Sequence, residues 1–282
     1  MKHETQNSKP ITSRDNSLLR QARAVRDGKI EELIFIEGLR LAEEALRSRL
    51  KIEAVIVSEE LNEKERAKSL IDELRQVSPR LAPVSEKLLE SISHTKTPQG
   101  IVLLASRPET SKEHFAADDQ KSPLIVIMHR INNPVNVGAI LRTSEAAGAT
   151  GTIATQETTD PFSPKSLRGA MGSAFRLPVW FGPTYDEALA WCTERGIQIV
   201  CADVDASTGY NEVDWRRPSA LVLGPESSGL SREEITAADE AVRIPMHGPA
   251  ESLNVAVATG VLLYEAVRQR TMEEPGPGSS RD

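Results

Sequence analysis

Three short runs in the second half of the chain, LIVIM (124–128), IQIVC (197–201) and SALVLG (219–224), are apolar at almost every position and lack the alternation of a half-buried strand. Strands of that kind are buried on both faces, as in a parallel sheet covered by helices. The second half is therefore expected to be α/β, with helices in the gaps. Thr184 with Glu187 and Ser231 with Glu234 have the spacing of a capping box, and Gly148 and Gly196 stand where helices should stop. The last helix, LNVAVATGVLLYEAVRQR (253–270), is apolar around most of its circumference, so it should be deeply packed or lie in an interface.

The first half alternates in the same way on a smaller scale. Asn16 or Ser17 can cap a helix running to about Asp27, with Gly28 placed to end it. LIFI (33–36), IEAVIV (52–57) and GIVLLA (100–105) read as strands, and EGLRLAEEALRSRL (37–50) and NEKERAKSLIDELRQV (62–77) as helices. The stretch 107–123 is rich in charge, Ser and Pro without apolar periodicity. This divides the chain into a domain at 1–106, a linker at 107–122, a domain at 123–271 and a disordered tail at 272–282.

Several function classes are disfavoured. No stretch approaches the ~20 apolar residues of a membrane span, and the start, MKHETQNSKP, lacks the apolar core of a secretory signal, so a cytoplasmic protein with no membrane partner is expected. Cys192 and Cys201 are too few for a disulfide framework, and the five histidines, His3, His94, His114, His129 and His247, have no metal spacing, so no metal is expected. The dinucleotide and P-loop fingerprints are missing, and so is the G-x-S-x-G elbow, which argues against a nucleotide-dependent dehydrogenase and a hydrolase.

The formal net charge of −7 is unevenly distributed. Residues 1–107 carry 19 Lys and Arg against 17 Asp and Glu, a net of +2, whereas 123–271 carry 12 against 17, a net of −5. In the first thirty residues Lys2, Lys9, Arg14, Arg20, Arg23, Arg26 and Lys29 face only Glu4, Asp15 and Asp27. This surplus points the N-terminal half at a nucleic acid, with Arg14, Arg20, Arg23 and Arg26 as candidate contacts, although a solvated helix face accounts for the same charges.

Three segments place glycine and polar side chains after expected strands, where open α/β sheets collect ligands. In NNPVNVGAILRTSEAAGA (132–149), Asn136 can cap a helix that carries Arg142 six residues on. In LVLGPESSGLS (221–231), two glycines bracket a loop from which Glu226 projects. In IPMHGPAESLNVAVATG (244–260), Pro245 and Gly248-Pro249 force an irregular loop before Ser252 and Asn254. Taken singly, each segment also reads as no more than a helix cap, a helix-surface residue or a glycine-rich turn.

In order and content these segments resemble the SpoU/TrmH-type RNA methyltransferases of the SPOUT superfamily, whose motifs read roughly NxxNxGAxxRT, LVxGxExxGL, and IPM with SLNVxxA. The resemblance covers about 123–270. Residues 11–105 look like that family's ribosomal-protein-like substrate-binding domain, with IEGLRLAEEAL (36–46) the most telling stretch.

The resemblance implies a sheet closed by a deep trefoil knot, an exception to the rule against threaded chains. It implies S-adenosylmethionine held by Leu223, Gly224, Glu226, Gly229, Ile244, Met246, Ser252, Leu253 and Asn254. It also implies a catalytic set of Asn136, Arg142, Glu226, Ser252 and Asn254, with Arg142 beside the RNA, and a homodimer through the knotted domain. The implied reaction is methylation of a ribose 2′-hydroxyl in ribosomal RNA first and transfer RNA second, with a non-catalytic RNA-binding protein of the same fold as the alternative. The chain departs from the pattern at Asn133, where an acidic residue is common, at His129, where Asp is frequent, and at Ala170, where Ser is usual.

Overall fold

The computed structural model describes residues 10–114 and 122–272. Contacts divide the chain into two units. One holds the described residues up to Glu109 together with Asp160–Arg176, and the other holds Thr110–Thr159 and the described residues from Leu177 onward. Positions 1–9, 115–121 and 273–282 lie outside the described residues, and with them most of the expected tail and part of the expected linker.

The first unit runs α1 (Ser17–Arg26), β1 (Leu33–Glu37), α2 (Leu39–Arg47), β2 (Ile52–Ser58), α3 (Glu59–Asn62), α4 (Glu65–Val77), β3 (Leu81–Val84), α5 (Glu86–Ile92) and β4 (Ile101–Ser106). Its sheet has the order β1-β4-β2-β3, with β4 antiparallel to both neighbours and β3 parallel to β2. The Asn16 side chain caps α1 by accepting from the Leu18 N–H, as the sequence suggests. Leu18, Leu19, Ala22 and Val25 then face a core shared with Phe35, Ile56, Val84 and Leu104. The strand β3 and helix α5 are additions to the sequence reading.

Asp160–Arg176, part of the second half in the sequence, joins this unit through specific contacts. Arg107 makes a two-pronged pair with Asp160 at 2.6 and 3.0 Å and lies 5.0 Å from the Phe162 ring centroid. Arg176 pairs with Glu44 at 2.5 Å. The segment's helix α7 (Pro164–Ala170) contacts β1, and the departure Ala170 is fully buried in it.

The second unit contains β5 (Leu124–Met128), α6 (Pro134–Ala146), β6 (Gly151–Ala154), β7 (Val179–Phe181), α8 (Tyr185–Thr193), β8 (Gln198–Ala202), β9 (Thr208–Gly209), β10 (Ser219–Leu223), α9 (Arg232–Thr236), β11 (Glu240–Arg243) and α10 (Val255–Thr271). Its seven strands pair in the order β7-β6-β5-β10-β8-β11-β9, every pair parallel. All five residues of β5 and of β10 are buried, which is why the sequence shows no alternation there. Both expected capping boxes form, at Thr184 with Glu187 and at Ser231 with Glu234.

Two expectations are corrected. The cap of α6 is Asn133, whose side chain accepts from the Val135 N–H, and not Asn136, which lies buried inside the helix. Pro134 fixes this start, because a proline favours the first helical position, where its missing N–H costs nothing. The last helix begins at Val255, not at Leu253, because the Asn254 side chain accepts from Ala256 and Val257 and so defines the cap. Near the other end of α10 the Arg270 guanidinium donates to the carbonyls of Ser122, Pro123, Trp215 and Arg217, tying the helix to the entries of β5 and β10.

Candidate functional site

The three motifs leave the same end of the parallel sheet. His129 follows β5, Thr155 follows β6, the glycine loop follows β10, and the irregular loop follows β11. Carboxyl ends of parallel strands are where such sheets bind ligands.

The loop after β10 doubles back on itself. The Gly229 N–H donates to the Pro225 carbonyl at 2.9 Å, and Gly229 has φ +65°. A Cβ on Gly224 would sit 2.7 Å from Leu230 Cγ and 2.9 Å from its backbone nitrogen, so only glycine lets the two arms close. Glu226 and Gly229 are exposed on this loop, whereas Leu223 is buried in the strand that supports it. Along the second loop Ile244 and Met246 are half-buried, and Ser252 and Leu253 are exposed. Among the described residues, no backbone hydrogen bond within the protein engages 245–253, which leaves those donors and acceptors to solvent or a ligand.

The structure brings Asn136 and Asn254 together. Asn254 Nδ2 donates to Asn136 Oδ1 at 3.2 Å, while Asn254 Oδ1 caps α10. Arg142 is exposed on α6, six residues beyond Asn136. Among the described residues, no hydrogen bond joins Arg142, Glu226 or Ser252 to the asparagine pair.

A second constellation was not anticipated. His129 is buried, with Nδ1 2.9 Å from Thr155 Oγ1 and Nε2 3.0 Å from Glu234 Oε1. Arg130 Nη2 donates to the same Glu234 oxygen at 2.6 Å, while Glu234 Oε2 accepts from the Ser231 N–H at 2.7 Å. The Tyr185 hydroxyl donates to the Glu234 carbonyl, and its ring lies 4.5 Å from that of His129. Burial holds the His129 imidazole below its usual pKa, outweighing the attraction of Glu234. Burial opposes the Glu234 charge too, but the Ser231 N–H, His129 and Arg130 together hold that carboxyl below its usual value. Both shifts agree with a neutral imidazole that donates from Nε2 and accepts the Thr155 hydroxyl at Nδ1. The capping-box spacing marked Glu234 in the sequence, but nothing there joined it to His129, 105 residues away.

In the first unit Arg14 and Arg20 are exposed. Arg23 donates to the Arg14 carbonyl at 2.9 Å, and Arg26 donates to the Ile92 and Ser93 carbonyls and pairs with Asp27 at 2.8 Å, so these two brace the fold. A cleft of about 570 Å³ in the same unit is lined by Leu39, Arg40, Glu60, Leu61, Lys64 and Gln99, and it shares no residue with the glycine loops. Cys192 and Cys201 are free and buried, and burial pushes their thiols up to about 12 and about 11, so neither is a ready nucleophile. No group of His, Cys, Asp and Glu among the described residues could hold a metal ion. No described helix is long and apolar enough to cross a membrane.

Residues 123–264 match the SpoU rRNA Methylase family, and residues 35–111 match the family described as RNA 2′-O ribose methyltransferase substrate binding. The chain is 33% identical over 209 residues to a 23S rRNA (uridine(2479)-2′-O)-methyltransferase of Streptomyces viridochromogenes, covering 72% of this chain and 71% of that one. It is 32% identical over 207 residues to a 23S rRNA (guanosine-2′-O-)-methyltransferase of Bordetella pertussis, covering 73% and 84%. A crystal structure of an AdoMet-bound rRNA methyltransferase from Sinorhizobium meliloti superimposes with a TM-score of 0.80 at 31% identity, covering 92% of this chain and 97% of the other.

Proposed function

The chain belongs to the SpoU rRNA methylase family, and on that premise we propose that it transfers a methyl group from S-adenosylmethionine to a ribose 2′-hydroxyl of ribosomal RNA. The observation that carries this reading is the Asn136–Asn254 hydrogen bond, which joins the first and third motifs at the ligand-binding end of a parallel sheet. The target nucleoside is left open, because the two relatives act on a uridine and a guanosine.

The loops suit the cofactor. The turn closed by Gly224 and Gly229 and the loop at 244–254 expose Glu226, Gly229, Ser252 and Leu253, with Ile244 and Met246 half-buried and Leu223 buried in the strand that supports them. S-adenosylmethionine, when bound, supplies a sulfonium methyl group open to in-line displacement. The protein's part is to hold the ribose oxygen in line and favour loss of its proton. A guanidinium is a poor base in water, so Arg142 clamps the adjacent phosphate and stabilises charge that develops on the 2′-oxygen. Asn254 and Asn136 fix the start of α10 against α6, and this sets the cofactor loop relative to Arg142.

The domain at 1–106 supplies RNA binding, with Arg14 and Arg20 as the direct contacts and Arg23 and Arg26 shaping the helix beneath them. The domain at 123–271, apart from Asp160–Arg176, carries the transfer, and its two loops form the crossings of the trefoil knot. Val257 and Tyr264, seven residues apart on one face of α10, are 54% and 53% exposed, and Val135 at the start of α6 is 58% exposed. A second copy of the chain covers this apolar face and makes the homodimer.

The experiment is calorimetry with S-adenosylhomocysteine, with NAD as control, followed by methyl transfer to ribosomal and transfer RNA. Binding of S-adenosylhomocysteine but not NAD, with transfer to ribosomal RNA, supports the proposal. Transfer to transfer RNA alone reassigns the substrate, and binding of RNA without transfer leaves a non-catalytic member of the fold.

A further inference from the structure

Arg130 is built in at a cost that the methyl transfer described above does not explain. It directly follows His129 at the carboxyl end of β5, and its φ of +53° lies in the left-handed region that favours glycine. Its Nε is buried without a hydrogen-bond partner, while the side chain as a whole remains 36% exposed. A purely structural role would be better served by a residue without the strain and the orphaned donor.

The surroundings hold this guanidinium in one place. Nη2 donates to Glu234 Oε1 at 2.6 Å, and that carboxylate is itself fixed by His129 Nε2 at 3.0 Å and by the Ser231 N–H at 2.7 Å. His129 is fixed in turn by Thr155. The result is a planar donor, pinned along one edge and partly open to solvent, four residues before the helix that carries Asn136 and Arg142. A guanidinium so prepared suits an oxygen of a phosphodiester, to which it can offer Nη1, the nitrogen that Glu234 does not engage.

We propose that Arg130 is a second phosphate-binding residue, one that grips the RNA backbone beside the methylated ribose, with His129 and Glu234 as its positioning residues. This rests on the reading that RNA is methylated at this end of the second sheet.

The test is Arg130→Gly, which relieves the strained backbone and removes the guanidinium together. The expected result is a melting temperature equal to or above wild type, unchanged S-adenosylhomocysteine affinity, an RNA KM raised on the order of tenfold with kcat nearly kept, and a salt dependence flatter by about one unit of log–log slope. Arg130→Lys should fall between, since it keeps the charge and loses the fork. Glu234→Gln, which keeps an oxygen for the Ser231 N–H but loses the charge, should raise the RNA KM by a smaller factor. An RNA KM within twofold of wild type in Arg130→Gly overturns the proposal, whatever happens to stability. So does a raised KM with an unchanged salt slope, which would mark a structural ion pair. Arg142→Ala is measured alongside. If it is inactive while Arg130→Gly is normal, only this inference fails, and if it turns over normally, the reading of the site fails with it.

Discussion

Asn254 Nδ2 donates to Asn136 Oδ1 at 3.2 Å, so the cap of the last helix is bonded to a side chain buried in the first motif, 118 residues earlier. Because Asn254 Oδ1 already serves the N–H groups of Ala256 and Val257, its amide nitrogen is left to face Asn136. One residue therefore both starts α10 and orients the motif that carries Arg142.

Asn254→Ala removes both functions. Loss of the cap costs about 0.5–2 kcal/mol, and loss of the hydrogen bond to a buried oxygen about 1–3 kcal/mol, with the two overlapping. The melting temperature and the S-adenosylhomocysteine affinity should both fall. Asn254→Asp separates the roles, since a carboxylate still caps α10 but cannot donate to Asn136, so stability should be largely kept while turnover falls. Wild-type affinity and turnover in Asn254→Ala would remove the pair from the site.

Arg142 is exposed and free to meet RNA. Arg142→Lys keeps the charge and loses the planar fork, so both it and Arg142→Ala should lower kcat on the order of a hundredfold or more, with cofactor affinity unchanged. Stability should barely move, because an exposed side chain is replaced. Single-turnover kinetics decide this, and normal turnover by Arg142→Ala would contradict it.

Gly224→Ala tests the loop. The added Cβ would meet Leu230 at 2.7–2.9 Å, partly against backbone, so the loop must open. Cofactor affinity should drop on the order of tenfold, the strain of overpacking being roughly 1–3 kcal/mol. Calorimetry with S-adenosylhomocysteine measures it. Undisturbed binding would show that the close approach of these arms is dispensable.

The His129 network sets a pH dependence. Burial depresses the folded imidazole below its ordinary value near 6.5, so below that pH the unfolded chain takes up the proton more readily and stability is lost as pH falls. Glu234, also depressed, adds a loss in the same direction at lower pH, below its ordinary 4.5. Wild type should therefore lose melting temperature between pH 7 and pH 5 by more than His129→Asn does. The difference between the two curves isolates His129 from His94, whose pKa is lowered chiefly by burial as well. Parallel curves would contradict the assignment.

The sequence made legible what local rules determine. The all-apolar runs became β5, β8 and β10, both capping boxes formed, and Asn16 capped α1. Elements that depend on tertiary context were missed. Strand β3 contains Pro83, which is tolerated because β3 is at the sheet edge, and α5 has only seven residues, too few for a clear period. The placement of Asp160–Arg176 in the first unit rests on Arg107 and Glu44, partners that no local pattern reveals. The site was legible as three motifs, and the Asn136–Asn254 bond followed from none of them. His129 and Glu234 each stood out locally, but the link that joins them and Arg130 was not legible, because it spans about a hundred residues.

The central claim is ribose methylation of ribosomal RNA, and the most direct measurement is mass spectrometry of nucleosides from ribosomal RNA of a deletion strain, before and after incubation with purified protein and S-adenosylmethionine. The account predicts one 2′-O-methylated nucleoside that is missing from the deletion strain, restored by wild-type protein and not restored by Arg142→Ala. An unchanged set of ribose methylations in the deletion strain, or a restored methyl group carried on a base, would contradict it.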